Sequence, residues 1–588
     1  MKPSLRFVAR LALLIPLSLV LVAPAAAQRV AVEARHGLVT SAHALASHAG
    51  LEMLQRGGNA IDAAVATGLA LAVVYPIAGN LGGGGFMLVH LADGRDVALD
   101  YRESAPSGAS RDMYLDAQGD VMAGPGSSVV GWRASGVPGS VAGFALALKK
   151  YGSGKLSWSD VCEPARRLAA DGHIVSQGSA AQLRNSAKHL GQFDESKRIF
   201  LHGGSLRQTG ELWPQPDLAA TFARLQKNGP REFYEGETAR RIAAAMAKNQ
   251  GTITLADLKA YQVAERTPLR GAYRGHDIVT MPPPSSGGIA LLQMLAMLEP
   301  RDLASLGHTS AAKYHLFAEV MRRAFRDRAE YLGDPDFVTV PVAQLLDRDY
   351  LKRRMDDFSP DHATPSAQVE PGLGPAKLAQ AQALTTHEST ETTHFSVVDT
   401  AGNAVASTYT LNGNFGSGVT IHGTGILMNN EMDDFTAKIG VKNMFGLLQG
   451  AANAIVPSKR PLSSMTPTMV FKDGQLLLVT GSPGGPTIIN TVLQIIINVV
   501  DHQMPVAQAV EAPRVHHQWM PDLLTFERLG ISADTLALLT AKGHTVVERQ
   551  SYEGGYQGDA ETIAIDPKTK LRFGAADPRK PDSKAVGY

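Results

Sequence analysis

Apolar positions recur at helical spacing from Ser41 to Gln55, stop at Gly57-Gly58-Asn59, and resume as an Ala-rich run from Ala60 to Val74. The first stretch has a polar face and the second has almost none, which predicts an amphipathic helix followed by a helix buried on all sides. Asn80-Leu81-Gly82-Gly83-Gly84-Gly85 then precedes a strand-like Phe86 to His90. Four consecutive glycines let a backbone approach another chain closely. A dinucleotide-binding fingerprint needs spaced glycines between a strand and a helix, and here the order is helix, glycines, strand, so close strand packing is the better reading.

Between Trp132 and Leu384 the pattern is mainly helical, with Tyr314, Phe317, Met321, Ala324 and Phe325 spaced for one buried face. Arg322, Arg323, Arg326 and Arg328 fall mostly on the other side and are expected to form a solvated basic face. Ser359 to Thr390 holds Pro360, Pro365, Pro371, Gly372, Gly374 and Pro375 and then a Gln/Ala/Thr-rich tail, which is linker chemistry. After it the period changes to two. His394 to Asp399 and Asn403 to Leu411 flank an Ala401-Gly402 turn; Thr468 to Phe471 and Leu476 to Thr480 flank Asp473-Gly474; Thr562 to Ile565 and Leu571 to Gly574 flank a third turn, and a helix follows Pro486. A helical first part and a hairpin-rich second part suggest helices layered on stacked sheets.

Composition narrows the function. The chain has 588 residues, 44% hydrophobic and 19% charged, enough for two domains or one large layered one. Lys+Arg 56 against Asp+Glu 55 leaves no excess charge for nucleic acid or anionic lipid, so small polar ligands are the better expectation. Cys162 is the only cysteine, which excludes an intramolecular disulfide, a thiolate cluster and a CxxC centre, and reads as an inert core thiol. At the start, Lys2, Arg6 and Arg10 precede the apolar run Leu11 to Val22 and the small residues Ala25-Ala26-Ala27. This is the layout of a signal peptide over 1–27, with Gln28 as the mature start and a periplasmic or secreted product without a lasting membrane anchor.

Several catalytic patterns are missing. His387-Glu388 is not followed by the second His of HExxH, and the Ser of Gly481-Ser482-Pro483-Gly484-Gly485 is out of place for GxSxG. His516 and His517 are adjacent and cannot share one helix face, so no metal or other cofactor is expected. What remains is a cluster of hydroxyls, Thr392-Thr393-His394-Phe395-Ser396, opening the first strand after the linker. Cutting the chain before Thr392 would free an α-amine of pKa about 7.7–8.0, able to take the proton of its own hydroxyl. Taken alone, the pentapeptide is better explained by the frequency of Thr in strands.

The wider window changes that balance. The pentapeptide, then Gly402-Asn403, Val405, Thr408-Tyr409-Thr410-Leu411-Asn412 and Phe415-Gly416, resembles the signature of the γ-glutamyltranspeptidase family, self-cleaving members of the N-terminal nucleophile hydrolases. Asn429-Asn430-Glu431-Met432-Asp433-Asp434-Phe435, Arg460-Pro461-Leu462-Ser463-Ser464-Met465 and Thr480-Gly481-Ser482-Pro483-Gly484-Gly485 extend the match. Tyr101-Arg102-Glu103, Ser135-Gly136-Val137-Pro138-Gly139 and Pro282-Pro283-Pro284-Ser285-Ser286-Gly287-Gly288 carry it into the first part.

The resemblance implies an α+β fold, a four-layer αββα sandwich, made as a precursor and cut between Glu391 and Thr392 into a large fragment, 28–391, and a small one, 392–588, that stay together as a heterodimer. It implies Thr392 as nucleophile, Thr410 as the neighbouring hydroxyl, and the Gly484 and Gly485 amides as the oxyanion hole. Arg102 with Ser463 and Ser464 would hold the substrate α-carboxylate, and Asp434, Glu431 and Asn412 the α-ammonium. The implied activity is transfer of the γ-glutamyl group of glutathione and related compounds, through an ester on Thr392, to water, amino acids or short peptides. Glu391 stands where bacterial members often carry Gln, and Phe445 where a lid Tyr is common; a phenyl ring shields the site but donates no hydrogen bond. The rivals are a cephalosporin-type acylase, a capsule poly-γ-glutamate depolymerase, and an exported solute-binding protein that captures γ-glutamyl compounds uncut.

Overall fold

Asn59 caps the first turn of the Ala-rich segment: its side chain accepts from the Ile61 and Asp62 amides while Asp62 accepts from the Asn59 amide at 2.7 Å. The helix that follows, Ala60–Val74, is buried along its whole length, as its lack of a polar face requires. It packs with Ala44–Gln55, Ser140–Tyr151 and Trp158–Asp171 over one face of a sheet. The computed structural model describes residues 30–375, 378, 392–549 and 556–588. The expected signal peptide, 1–27, and Gln28 and Glu391 lie outside the described residues.

Two seven-stranded antiparallel sheets form the centre. In the first, hydrogen-bonded neighbours run Lys584–Gly587, Leu38–Ser41, Thr393–Val398, Ala404–Thr410, Gly84–His90, Asp96–Tyr101 and Ala264–Arg266. In the second they run Val32–Ala34, Arg572–Ala575, Thr562–Ile565, Gln475–Thr480, Thr468–Lys472, His276–Thr280 and Leu269–Tyr273. Leu38, Phe86, Leu88, Val398 and Ala406 of the first meet Val279, Met469, Val479 and Ile563 of the second in one core between the sheets. The outer face of the second carries Gly287–Leu298, Ala311–Tyr331 and Thr487–Val500. This is the expected αββα order.

The predicted hairpins are present, and the four glycines act as expected: a Cβ on Gly83 or Gly85 would collide with the Thr410 carbonyl or the Tyr409 side chain. The strand opens at Gly84, two residues before Phe86. The described part of the stretch from Trp132 to Leu384 is mainly helical, as expected, and it also holds Ala264–Arg266, Leu269–Tyr273 and His276–Thr280, which supply strands to both sheets. One expectation needs correction. Arg322, Arg323, Arg326 and Arg328 are not a solvated face; all four are at most 2% exposed. Cys162 is buried, with its thiol pushed up by desolvation, and is inert as expected. No helix among the described residues is long and apolar enough to cross a membrane.

Candidate active site

The period of two that buries Phe395 and Val397 under the helices turns Thr392, His394, Ser396 and Val398 towards the gap between the sheets. Register then sets the neighbour of Thr392. Thr393 pairs with Tyr409 and His394 with Thr408, so Thr392 stands opposite Thr410, and its Oγ1 lies 3.3 Å from the Thr410 Oγ1. The Thr410 hydroxyl also accepts from the Asn412 amide at 2.8 Å, which leaves Asn412 turned into the site at a φ of 78°. Below this pair His394 bonds through Nδ1 to Thr408 at 2.7 Å and through Nε2 to Ser396 at 3.1 Å. Burial pushes its imidazole down to about 3, so it is neutral, and its ring fills the space against Gly481.

Gly481 opens the loop that joins strand Gln475–Thr480 to helix Thr487–Val500. Gly484 and Gly485 hold φ of 127° and 53°, values that suit glycine, and sit at the positive end of that helix. Among the described residues nothing accepts a hydrogen bond from either amide, which leaves both for a developing oxyanion. Phe445 lies over Gly485: a Cβ there would be 3.0 Å from the ring. The loop that carries Phe445 is held by Asp433, which accepts from the Met444 amide at 2.9 Å and from Ser128 at 2.6 Å.

Arg102 follows strand Asp96–Tyr101 and is almost fully buried. Its guanidinium is ion-paired to Glu431 and Asp434, lies 3.8 Å from Glu103, and donates to the Pro461 carbonyl at 3.3 Å. Burial alone would lower its pKa; the three carboxylates outweigh that and hold it up. The same burial pushes Glu103 up to about 7 and Glu431 well above the carboxylate range, with Arg102 opposing both. Three carboxylates around one guanidinium carry excess negative charge, which with burial favours the protonated forms of Glu103 and Glu431.

The loops that present these groups are tied by the motifs noted in the sequence. Asn429 bonds both the Gly136 amide, at 2.8 Å, and the Glu431 amide, at 3.0 Å, linking the Ser135–Gly139 motif to the short 3-10 turn Glu431–Asp434. Ser286 donates through Oγ to the Ser463 carbonyl at 2.6 Å, and Ser285 to the Met465 carbonyl at 2.6 Å. The Pro282–Gly288 motif is thus the cradle of Ser463 and Ser464.

Thr392, Thr410, Asn412, Gly485, Arg102, Glu431, Asp434, Ser463, Ser464 and Phe445 all line one narrow cavity. Gly484 is not among the lining residues, though its neighbour Gly485 is. Arg328, Leu447, Met465, Pro486 and Ile488 complete the lining and were not expected. Elsewhere His315, Glu319 and His544 bring ligand-type atoms within 4.8 Å of one another. They are already committed: His315 donates from Nε2 to the Ser359 carbonyl at 2.7 Å and so accepts from His544 at Nδ1, 2.8 Å away, while Glu319 is ion-paired to Arg322 and Arg323.

Residues 46–587 match the family model described as gamma-glutamyltranspeptidase. A glutathione hydrolase proenzyme of Escherichia coli (strain K12) is 49% identical over 95% of this chain and 93% of its own length. Among solved structures, a cephalosporin acylase from Bacillus halodurans superposes with a TM-score of 0.82 at 26% identity, covering 96% of this chain and 98% of that one. A γ-glutamyltranspeptidase chain from Helicobacter pylori gives 0.55 at 47% identity, covering 56% of this chain and 94% of that one.

Proposed function

The chain belongs to the γ-glutamyltranspeptidase family, and from that premise we propose that it takes the γ-glutamyl group from glutathione and related amides and passes it to water or to an amino acid or short peptide. One observation carries the reading: beside Thr392, a guanidinium suited to a carboxylate touches two carboxylates suited to an ammonium. The carboxylate and ammonium of an amino-acid head group sit on one carbon, so their receptors must adjoin. Arg102 is ion-paired to Glu431 and Asp434, and the head group exchanges one set of ion pairs for another.

Maturation comes first. We place the cut between Glu391 and Thr392, dividing 28–391 from 392–588, after removal of a leader ending at Ala27 on export. The freed Thr392 amine then accepts the hydroxyl proton as Oγ1 attacks the γ-carbonyl carbon. The carbonyl oxygen takes its charge between the Gly484 and Gly485 amides. The C–N bond breaks, the departing amine carries the proton away, and water or an acceptor amine resolves the ester by the reverse path. Phe445 shields this exchange from bulk solvent.

The acylase reading has the fold in its favour. A glutaryl group, however, has a carboxylate and no ammonium, which would leave Glu431 and Asp434 buried without a cation to meet. Turnover of matched γ-glutamyl and glutaryl anilides separates the two: we expect a strong preference for γ-glutamyl, and equal or reversed rates would transfer the assignment to the acylases. A chain that stays uncut on a denaturing gel, binds γ-glutamyl compounds and turns none over would be a binding protein.

The raised Glu103 carboxyl gives a pH dependence with a definite sign. Below about 7 Glu103 holds its proton and above it the pair is more negative, so an incoming ammonium is bound more tightly as pH rises. KM for a γ-glutamyl anilide should therefore fall between roughly pH 6 and 8, and Glu103→Gln should flatten that fall. An unchanged slope in the variant would remove Glu103 from the account.

A further inference from the structure

Helix Ala311–Tyr331 brings Arg328 into the wall of the catalytic cavity next to Ser464. Its three neighbours in the arginine series have carboxylate partners, Glu319 for Arg322 and Arg323 and Glu330 for Arg326. Arg328 forms no ion pair among the described residues, although it is only 2% exposed. Its Nε donates to the Ser286 hydroxyl at 2.9 Å and its Nη2 to the Ser464 hydroxyl at 3.2 Å, while Nη1 is buried without a hydrogen-bond partner. Burial lowers its pKa to about 10, which still leaves it charged at neutral pH.

A guanidinium only donates, so both serine oxygens accept from it. Ser286 sends its own proton to the Ser463 carbonyl. Ser464 has its acceptor side occupied by Arg328 and keeps its O–H for the cavity. Ser463 is in the same position, since its Oγ accepts from the Met465 amide at 3.1 Å. Charge points the same way: the three carboxylates around Arg102 also oppose an incoming carboxylate, whereas Arg328 is buried without an ion pair among the described residues, and Asp434 is the one carboxylate that acts on it.

We propose that Arg328 is a second cationic residue of the substrate carboxylate site: its unpaired amino group meets the α-carboxylate and its paired one fixes Ser464 as a hydrogen-bond donor. This rests on the γ-glutamyl reading above. With Arg328 counted, the polar lining balances a zwitterionic head group instead of repelling its anionic end.

The test uses the full-length, matured enzyme and two anilides, γ-glutamyl and its α-carboxamide analogue. Arg328→Gln should mature normally, keep kcat within about threefold, raise KM for the γ-glutamyl anilide about ten- to hundredfold, as befits a lost charge-assisted bond, and lose discrimination against the carboxamide by the same factor. Arg328→Lys should recover part of it. In a cycle with Ser464→Ala the two losses should add only in part, because Arg328 acts partly through Ser464 and partly by direct contact. A variant with wild-type KM and wild-type discrimination, or one that loses both anilides equally, overturns the assignment. If Arg328→Gln fails to mature, Arg328→Lys decides by the same readout; failure of both assigns the residue to folding and overturns the proposal. A wild-type enzyme that does not prefer the carboxylate over the carboxamide sinks the γ-glutamyl reading itself.

Discussion

Thr392→Ala folds, remains a single chain and shows no γ-glutamyl turnover above background. In maturation the Thr392 hydroxyl must attack the Glu391 carbonyl while its own nitrogen is still an amide; in turnover the nitrogen is a free amine and serves as base. Removing the hydroxyl abolishes both steps and costs the fold little, because among the described residues the side chain bonds only across 3.3 Å to Thr410. Thr392→Ser retains the oxygen but loses the methyl that restricts χ1, so it cleaves itself more slowly and keeps partial activity. If Thr392 were only a strand residue, both variants would process normally with small stability changes. Denaturing gels and anilide turnover of the two purified variants check both outcomes.

Arg102→Lys lowers kcat/KM for a γ-glutamyl anilide roughly ten- to hundredfold, the equivalent of about 1.5–3 kcal/mol for one charge-assisted hydrogen bond. The charge survives this change, but the geometry does not. The guanidinium reaches Glu431, Asp434 and the Pro461 carbonyl at once through separate nitrogens, and a single ammonium cannot offer a carboxylate two parallel bonds from the same place. Kinetics equal to wild type would show that Arg102 is not the carboxylate clamp.

Much of this arrangement was legible before the fold was seen. Alternation in His394 to Asp399 and Asn403 to Leu411 marks a hairpin, and the register that places Thr392 against Thr410 follows once the short turn is recognised. The identities of Arg102, Glu431, Asp434, Ser463 and Ser464 came from the order of motifs, since no local pattern says that residues more than three hundred positions apart converge. Arg328 was hidden by a sound rule applied in the wrong setting. Charged residues opposite an apolar stripe normally face water, but Ala311–Tyr331 is covered on nearly every side, and Arg322, Arg323 and Arg326 survive burial because Glu319 and Glu330 lie three or four residues away on the same helix. Those acidic spacings were the available signal, and Arg328 is the one arginine of the four that they leave unmatched. The strands from Ala264 to Thr280 were missed for a different reason: they are short, they include both sheet edges, and the half-exposed Leu269–Tyr273 carries Gly and Arg in place of a clean apolar row.

Intact mass measurement of the purified wild-type protein, with N-terminal sequencing of its smaller chain, tests the central claim most directly. The account predicts two chains, the smaller beginning Thr392-Thr393-His394. A single uncut chain with full γ-glutamyl turnover, or a smaller chain beginning at any other residue, would contradict it.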